Sequence, residues 1–139
     1  MVIVQFGFNP DDPRNPHDPA NHVAHRIAYT GTHDHDTVRG WYESLGPDVP
    51  VKVDAAIDGA GVREPESWWA LIRLAIASPA RVAMVQVQDV LGLGCEARMN
   101  VPGTTGKSWR WGLEELPSAD LGRRLREASE EASRVNGGH

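Results

Sequence analysis

Residues Tyr29-Thr30-Gly31-Thr32-His33-Asp34-His35-Asp36-Thr37 set two imidazoles and two carboxylates side by side, directly after a short apolar run. Groups of these types can move protons, hold a metal ion, or fix a polyol while an anionic oxygen steadies a cationic transition state. The run Ile27-Ala28-Tyr29 reads as the end of a buried strand, and Thr37-Val38-Arg39-Gly40-Trp41-Tyr42 as a helix start, so the acids occupy a strand-to-helix turn. In parallel α/β folds active sites gather at that turn. On spacing alone Asp34 reads first as a helix N-cap, since Asp satisfies the free amides of a first helical turn, and second as a substrate-facing carboxylate.

The elements that must carry this turn follow from pattern. Residues 2 to 8 alternate and end in Gly7-Phe8, which predicts a buried strand running into a loop. Asn9 to Asn21 holds Pro10, Pro13, Pro16 and Pro19 and can form neither a helix nor a central strand; a binding rim and plain disorder fit it equally. A second strand over 26–30 and a third over 82–87 flank a helix with Pro65 in its first turn, Glu64 and Glu66 at its positive end, and an apolar face of Trp69, Leu71, Ile72, Ala75 and Ile76. Ser78-Pro79 ends it. Strand, helix and strand in that order predict a right-handed parallel crossover. Residues 46–63, rich in Gly, Pro, Asp and Val, predict an excursion with little regular structure, and Gln88-Asp89 falls at the same end of the sheet as Asp34. A last helix is expected from its cap Ser118 to Val135, with Leu121, Leu125, Ala128, Ala132 and Val135 as its stripe and Asn136-Gly137-Gly138 as its stop. Trp68 and Trp69 read as core, Trp109 and Trp111 as supports near the site.

Three stretches also carry a resemblance. Tyr29 to Asp34, followed by Asp36-Thr37 and Gly40-Trp41, is similar to the seventh-strand motif of the 4-alpha-glucanotransferases, also called amylomaltases or disproportionating enzymes. Gln88-Asp89-Val90-Leu91-Gly92-Leu93-Gly94, then Glu96-Ala97-Arg98-Met99-Asn100 and Pro102-Gly103-Thr104, resembles that family's last barrel segment, and Val4-Gln5-Phe6-Gly7-Phe8 adds a weaker match in the right order. The resemblance implies an α/β fold made of the last three strand-helix units of a partial TIM (β/α)8 barrel, with residues 1–139 forming one C-terminal fragment of a catalytic barrel. It implies a retaining transfer of α-1,4-glucan segments to the 4-hydroxyl of an acceptor sugar, in starch and glycogen metabolism, acting on maltooligosaccharides or α-1,4-glucans without a cofactor or metal. Asp34 matches the carboxylate that stabilises the oxocarbenium-like transition state; His33 and Asn100 match sugar contacts. Retention further requires a nucleophile and an acid/base about 5–5.5 Å apart. The family carries those two on its fourth and fifth strands, so the missing N-terminal part of the enzyme is the expected partner and the fragment is expected to be inactive alone. The sequence departs from the family at His35, where asparagine is usual, at Lys107-Ser108 in place of Gly-Asn, and at Gly112 in place of arginine. His35 is therefore expected to serve the turn rather than the chemistry.

Composition narrows the alternatives. A complete eight-unit barrel takes about 250 residues, so 139 exclude a closed one, and an open parallel sheet is expected to associate through its edges. A net charge of −5, with Lys52 and Lys107 far apart, argues against a nucleic-acid backbone as partner. Arg123, Arg124, Arg126 and Arg134 alternate with Glu127, Glu130 and Glu131 and read as a solvated helix face. The lone Cys95 fits a reducing cytoplasm and reads as a small packing residue. No signal peptide is evident, and the most apolar window, residues 68–77, contains Arg73 and is about half the ~20 residues of a membrane span. Two competing functions stand beside the transferase. One is a metal-dependent hydrolase using His33, His35 and aspartates such as Asp54, Asp58 and Asp89, although His139 is the only histidine after His35. The other is a non-catalytic sugar-binding module on the same surface.

Overall fold

The computed structural model describes residues 1–9, 11–104, 106 and 108–134. Three short strands, β1 (Val2–Ile3), β2 (Ile27–Tyr29) and β3 (Val82–Met84), form one parallel sheet in the order β1-β2-β3. The register sets Ala28 between Val2 and Ala83, and Tyr29 between Ile3 and Met84. Successive side chains point to opposite faces. Val2, Ala28 and Ala83 therefore share the face on which Val2 and Ala28 are buried with Ala80. On the other face Ile27, Val82 and Met84 stay 38%, 40% and 49% exposed. Parallel sheets are ordinarily covered on both sides; this face is open at β2 and β3, while Ile3 of β1 on the same face is buried.

The helix α3 (Ser67–Ile76) is the centre of the packing: it lies on β2 and β3 and touches α1 (Val38–Glu43), α2 (Val49–Ala60), α4 (Val87–Val90) and α5 (Ala119–Glu131). Its apolar side chains point in two directions. Leu71, Leu74 and Ala75 join Val4, Phe8, Val38, Val53 and Ile57; Trp69, Ile72 and Ile76 join Val90 and Ala128, flanked by Leu121, Leu125 and Ala132. Burial of each large member contributes about 1.5–3 kcal/mol before entropy is counted, so α3 holds the two halves of the core together.

Several expectations need correction. The first strand does not run through residue 8: it ends at Ile3, and Val4–Phe6 form a single 3-10 turn closed by Gly7 N–H donating to Val4 O (2.9 Å), because Val4 must turn into the core. The third strand stops at Met84, and Val87 already begins α4. The largest departure is in residues 46–63, where α2 forms a twelve-residue helix. Pro50 sits in its first turn, where a backbone N–H has no helical acceptor. Val53 and Ile57, one turn apart, are both buried, and Gly61 closes the end in the left-handed conformation (φ 67°, ψ 30°). Pro65 precedes the α3 cap, Glu66, instead of entering the first turn. Glu64 and Glu66 pair with arginines: Arg73 reaches Glu64 at 3.2 Å and Arg124 reaches Glu66 at 2.6 Å, with the Arg124 guanidinium 4.3 Å above the Trp69 ring. Arg124 is thus an interhelical clamp, not part of a solvated face. Arg134 likewise turns inward, donating to the carbonyls of Ser78 (2.6 Å) and Ala80 (2.9 Å). Cys95 is exposed and packs against no core. The helix stop at Asn136–Gly138, with Val135, Lys107 and His139, lies outside the described residues. Ser118 does cap α5, accepting from Leu121 N–H.

Within the proline-rich stretch, residues 11–21 are a packed loop. Asn15 Nδ2 donates to Phe6 O (2.7 Å), Asn21 Nδ2 donates to Asn15 O (2.9 Å), and Pro19–Asn21 make one 3-10 turn. Below it, His22 is buried: Nε2 donates to His17 O (2.9 Å), which leaves Nδ1 to accept from Ser78 Oγ (2.7 Å).

Candidate active site

The turn between β2 and α1 begins with Thr30, wholly buried, and ends with Thr37, whose side chain caps α1 by accepting from Gly40 N–H (3.1 Å). Thr37 therefore does the capping that spacing alone would give to Asp34. Asp36 lies inside the turn: its Oδ1 accepts from Thr37 N–H (2.8 Å), and burial lifts its carboxyl above the usual range despite the Arg98 charge nearby. His35 also faces inward. Its Nδ1 accepts from Thr32 N–H (2.9 Å) and from Thr32 Oγ1 (2.8 Å), while the Phe6 ring meets it edge-on at 4.8 Å. A nitrogen accepting two donors is unprotonated, and burial, helped by Arg98 and His33, keeps the imidazole below its ordinary pKa. His35 serves the turn.

With its neighbours occupied, Asp34 points outward. Asn100 Nδ2 donates to Asp34 Oδ1 at 2.7 Å across 66 residues of sequence, and His33 Nε2 lies 3.3 Å from Asp34 Oδ2. Both oxygens of one carboxylate are thereby engaged from different sides, while the side chains of His33 and Asp34 remain 56% and 47% exposed. The Trp109 ring lies 5.1 Å from the His33 ring at a 38° tilt. A cleft of about 400 Å³ opens beside them, lined by Met1, Tyr29, Gly31, Thr32, His33, Asp34, Met84, Val85 and Gln86. It sits at the C-terminal end of the sheet, and Asp34 is the one carboxylate among its lining residues. The three residues singled out in sequence, Asp34, His33 and Asn100, are therefore brought together.

Residues not foreseen as parts of this site hold the turn in place. Gln5, beyond β1, donates from Nε2 to Asp36 O (2.8 Å); Gln86, beyond β3, donates to Gly31 O (2.9 Å); Arg98 donates to Asp34 O (3.3 Å). Their common signal is position, since Gln5 and Gln86 each follow a strand end. Asp89, fully buried at 1% exposure, accepts from Thr30 Oγ1 at 2.7 Å and from Val38 N–H at 2.8 Å. Asp34, held by Asn100 and His33 but open to the cleft, can accept sugar hydroxyls and place a negative charge beside an electron-poor carbon. Among the described residues no three His, Cys, Asp or Glu side chains converge as a metal site requires.

The chain is also similar to known proteins. The 4-alpha-glucanotransferase of Thermus thermophilus is 42% identical over 143 residues, an overlap covering 97% of this chain and 28% of that protein. The chloroplastic/amyloplastic 4-alpha-glucanotransferase of Solanum tuberosum is 41% identical over 120 residues, covering 86% and 20%. Among solved structures, an amylomaltase from Streptococcus agalactiae in complex with acarbose superposes with a TM-score of 0.88 at 27% identity, covering 98% of this chain and 27% of that one. The chain thus spans well under a third of the length of these relatives. A model of the 4-alpha-glucanotransferase family matches residues 1–117, and on that match, with the sequence relatives and the superposition, the chain belongs to the 4-alpha-glucanotransferase family.

Proposed function

We propose that this chain forms the last three strand-helix units of a glucanotransferase (β/α)8 barrel, residues 1–139 being a C-terminal portion of the catalytic domain, and that it contributes the transition-state-stabilising carboxylate, Asp34. Activity on α-1,4-glucans and maltooligosaccharides in starch or glycogen metabolism, and a cytoplasmic location, belong to the same proposal. The observation that carries it is the fixing of Asp34 by Asn100 at 2.7 Å beside His33, on a cleft at the C-terminal end of a parallel sheet. The open face of Ile27, Val82 and Met84 supports the barrel reading, since in a closed barrel such a face turns inward and is filled by side chains from the other strands.

In the reaction this chain's groups act on the sugar while it is being cut. Asn100 holds one Asp34 oxygen in a charge-assisted bond, which fixes the carboxylate rotamer and leaves its remaining lone pairs for sugar hydroxyls. As the bond to the leaving sugar lengthens, positive charge grows on the anomeric carbon and the Asp34 charge stabilises it more than it stabilises the neutral ground state. His33 Nε2 donates to a hydroxyl of the same sugar. The nucleophile and the acid/base are assigned to polypeptide beyond these residues, in keeping with the share of the relatives that the chain spans.

The test is a graft, in which this chain replaces the matching segment of the Thermus thermophilus protein. Conversion of maltotriose into glucose and longer oligosaccharides is the expected result. A folded graft that releases no glucose, or one that binds maltoheptaose without transferring it, overturns the reading; the second result is what a sugar-binding module gives.

A further inference from the structure

We propose that Asp89 is a positioning residue for Asp34: a single buried carboxylate that grips both ends of the turn carrying it. The inference rests on the transferase reading of Asp34. Asp89 Oδ2 accepts from the hydroxyl of Thr30, the first residue beyond β2, and Asp89 Oδ1 accepts from the backbone N–H of Val38, the first residue of α1. The seven residues between those two anchors include His33 and Asp34. One rigid side chain therefore fixes the distance between the points where the turn leaves the sheet and where it enters the helix.

Nothing about the core calls for a carboxylate at this point. Asp89 is 1% exposed, and burial lifts its carboxyl above the usual range; among the described residues no cation lies within ion-pair distance of it. An apolar residue at a buried position of this kind normally serves stability as well or better, whereas a buried acid is expensive unless hydrogen bonds satisfy it. The two bonds made are both to the turn, and none is to α3, where the packing energy is concentrated. The remaining turn contacts, from Gln5 to Asp36 O, from Gln86 to Gly31 O and from Arg98 to Asp34 O, each hold one interior carbonyl. Thr30 N–H also donates to Met84 O (3.3 Å), but Asp89 alone joins the two ends, so its loss leaves the turn attached to the sheet while the spacing between its ends is free to change. A shift of about 1 Å at a charged group is enough to lower turnover by roughly a hundredfold.

The grafted enzyme supplies the test, using kcat for maltotriose and thermal melts in parallel. Asp89→Ala removes both bonds and is expected to lower kcat by about 10–100-fold with KM changed little. Asp89→Asn can keep both, its carbonyl accepting from Val38 N–H and its amide donating to Thr30 Oγ, and is expected to stay within about fivefold of the parent. The deciding variant pairs Asp89→Ala with Asp34→Asn: if Asp89 acts through Asp34, the double variant turns over no more slowly than Asp34→Asn alone, while its melt drops by the same amount as that of Asp89→Ala. Equal kcat factors in both backgrounds, or an Asn variant as slow as the Ala variant, overturn the proposal. Should Asp89→Ala not fold, Thr30→Val, which severs one anchor with little change of shape, takes its place in the same cycle. A fully active Asp34→Asn enzyme is a separate outcome, in which the reading of the site itself fails.

Discussion

Replacing Asp34 by Asn in the grafted enzyme removes one charge and almost nothing else. The rotamer that keeps the Asn100 bond presents the new carbonyl to Nδ2 and turns the new amide toward His33 Nε2, which must then accept instead of donate, so the Asn100 bond persists and the His33 contact requires the other ring tautomer. What is lost is attraction between a carboxylate and the anomeric carbon. At about 4 Å two unit charges interact by about 1 kcal/mol in bulk water and about 4 kcal/mol at an effective dielectric near 20. Free Asp34 is 47% exposed, but a sugar filling the cleft displaces that water, so the upper half of the range applies. At about 1.4 kcal/mol per tenfold in rate, a loss of about 2–4 kcal/mol lowers kcat roughly 30- to 1000-fold. Because the ground-state sugar is neutral, KM should move by less than about threefold. Initial rates of glucose release from maltotriose give both constants. A kcat within about threefold of the parent, or a raised KM with kcat intact, refutes the transition-state role and leaves Asp34 as an ordinary sugar contact.

Gly40→Ala tests how tightly the turn is packed against α1. Alanine favours a helix interior by about 1 kcal/mol, yet its Cβ would stand 2.5 Å from Asp36 Oδ1, so the variant is expected to melt lower than the parent; an equal or higher melting temperature refutes that contact. Acid should also weaken the chain as pH falls through and below about 6.5. Burial holds His22, His17 and His35 below their ordinary value of 6.5, so the unfolded chain takes up protons first as pH falls, and the stability present above pH 6.5 is lost on the way down. Urea melts at several pH values, by circular dichroism at low micromolar concentration, are expected to slope this way and to flatten in His22→Gln; a pH-independent midpoint contradicts the tautomer assigned to His22. Sedimentation at higher concentration should reveal self-association through the face of Ile27, Val82 and Met84, relieved by Met84→Lys; a strictly monomeric parent argues that this face needs no cover.

What could be read from sequence was whatever depends on near neighbours. The β2–turn–α1 unit was legible because a short apolar strand, a polar turn and a helix start all lie within about a dozen residues, although the cap proved to be Thr37, and α3 because its apolar positions cover a wide stripe. The helix α2 was not. Val49, Val51 and Val53 alternate as a strand would, and only tertiary packing reveals that Val51 is 68% exposed while Val53 and Ile57, one helical turn apart, are buried. The length of β1 was overread for the same reason, since an alternating run continues past the point where Val4 turns into the core.

The site divides along the same line. His33 and Asp34 are adjacent, so their proximity was given in advance, and Asn100 came with the family motif. The supports were hidden because their bonds join residues 51 and 59 apart in the case of Asp89 and 55 apart in the case of Gln86. No periodicity reports such a pairing. Local and long-range bonds together decide which nearby acid can act: Asp36 is tied to the adjacent Thr37 N–H, Asp89 to Thr30 and Val38, and Asp34 alone is left with a face toward the cleft. Selection among three carboxylates was therefore made by competition for backbone and hydroxyl donors. The acid left with only side-chain partners, Asn100 and His33, is the one free to exchange a bond for a sugar hydroxyl without unfolding the turn that presents it.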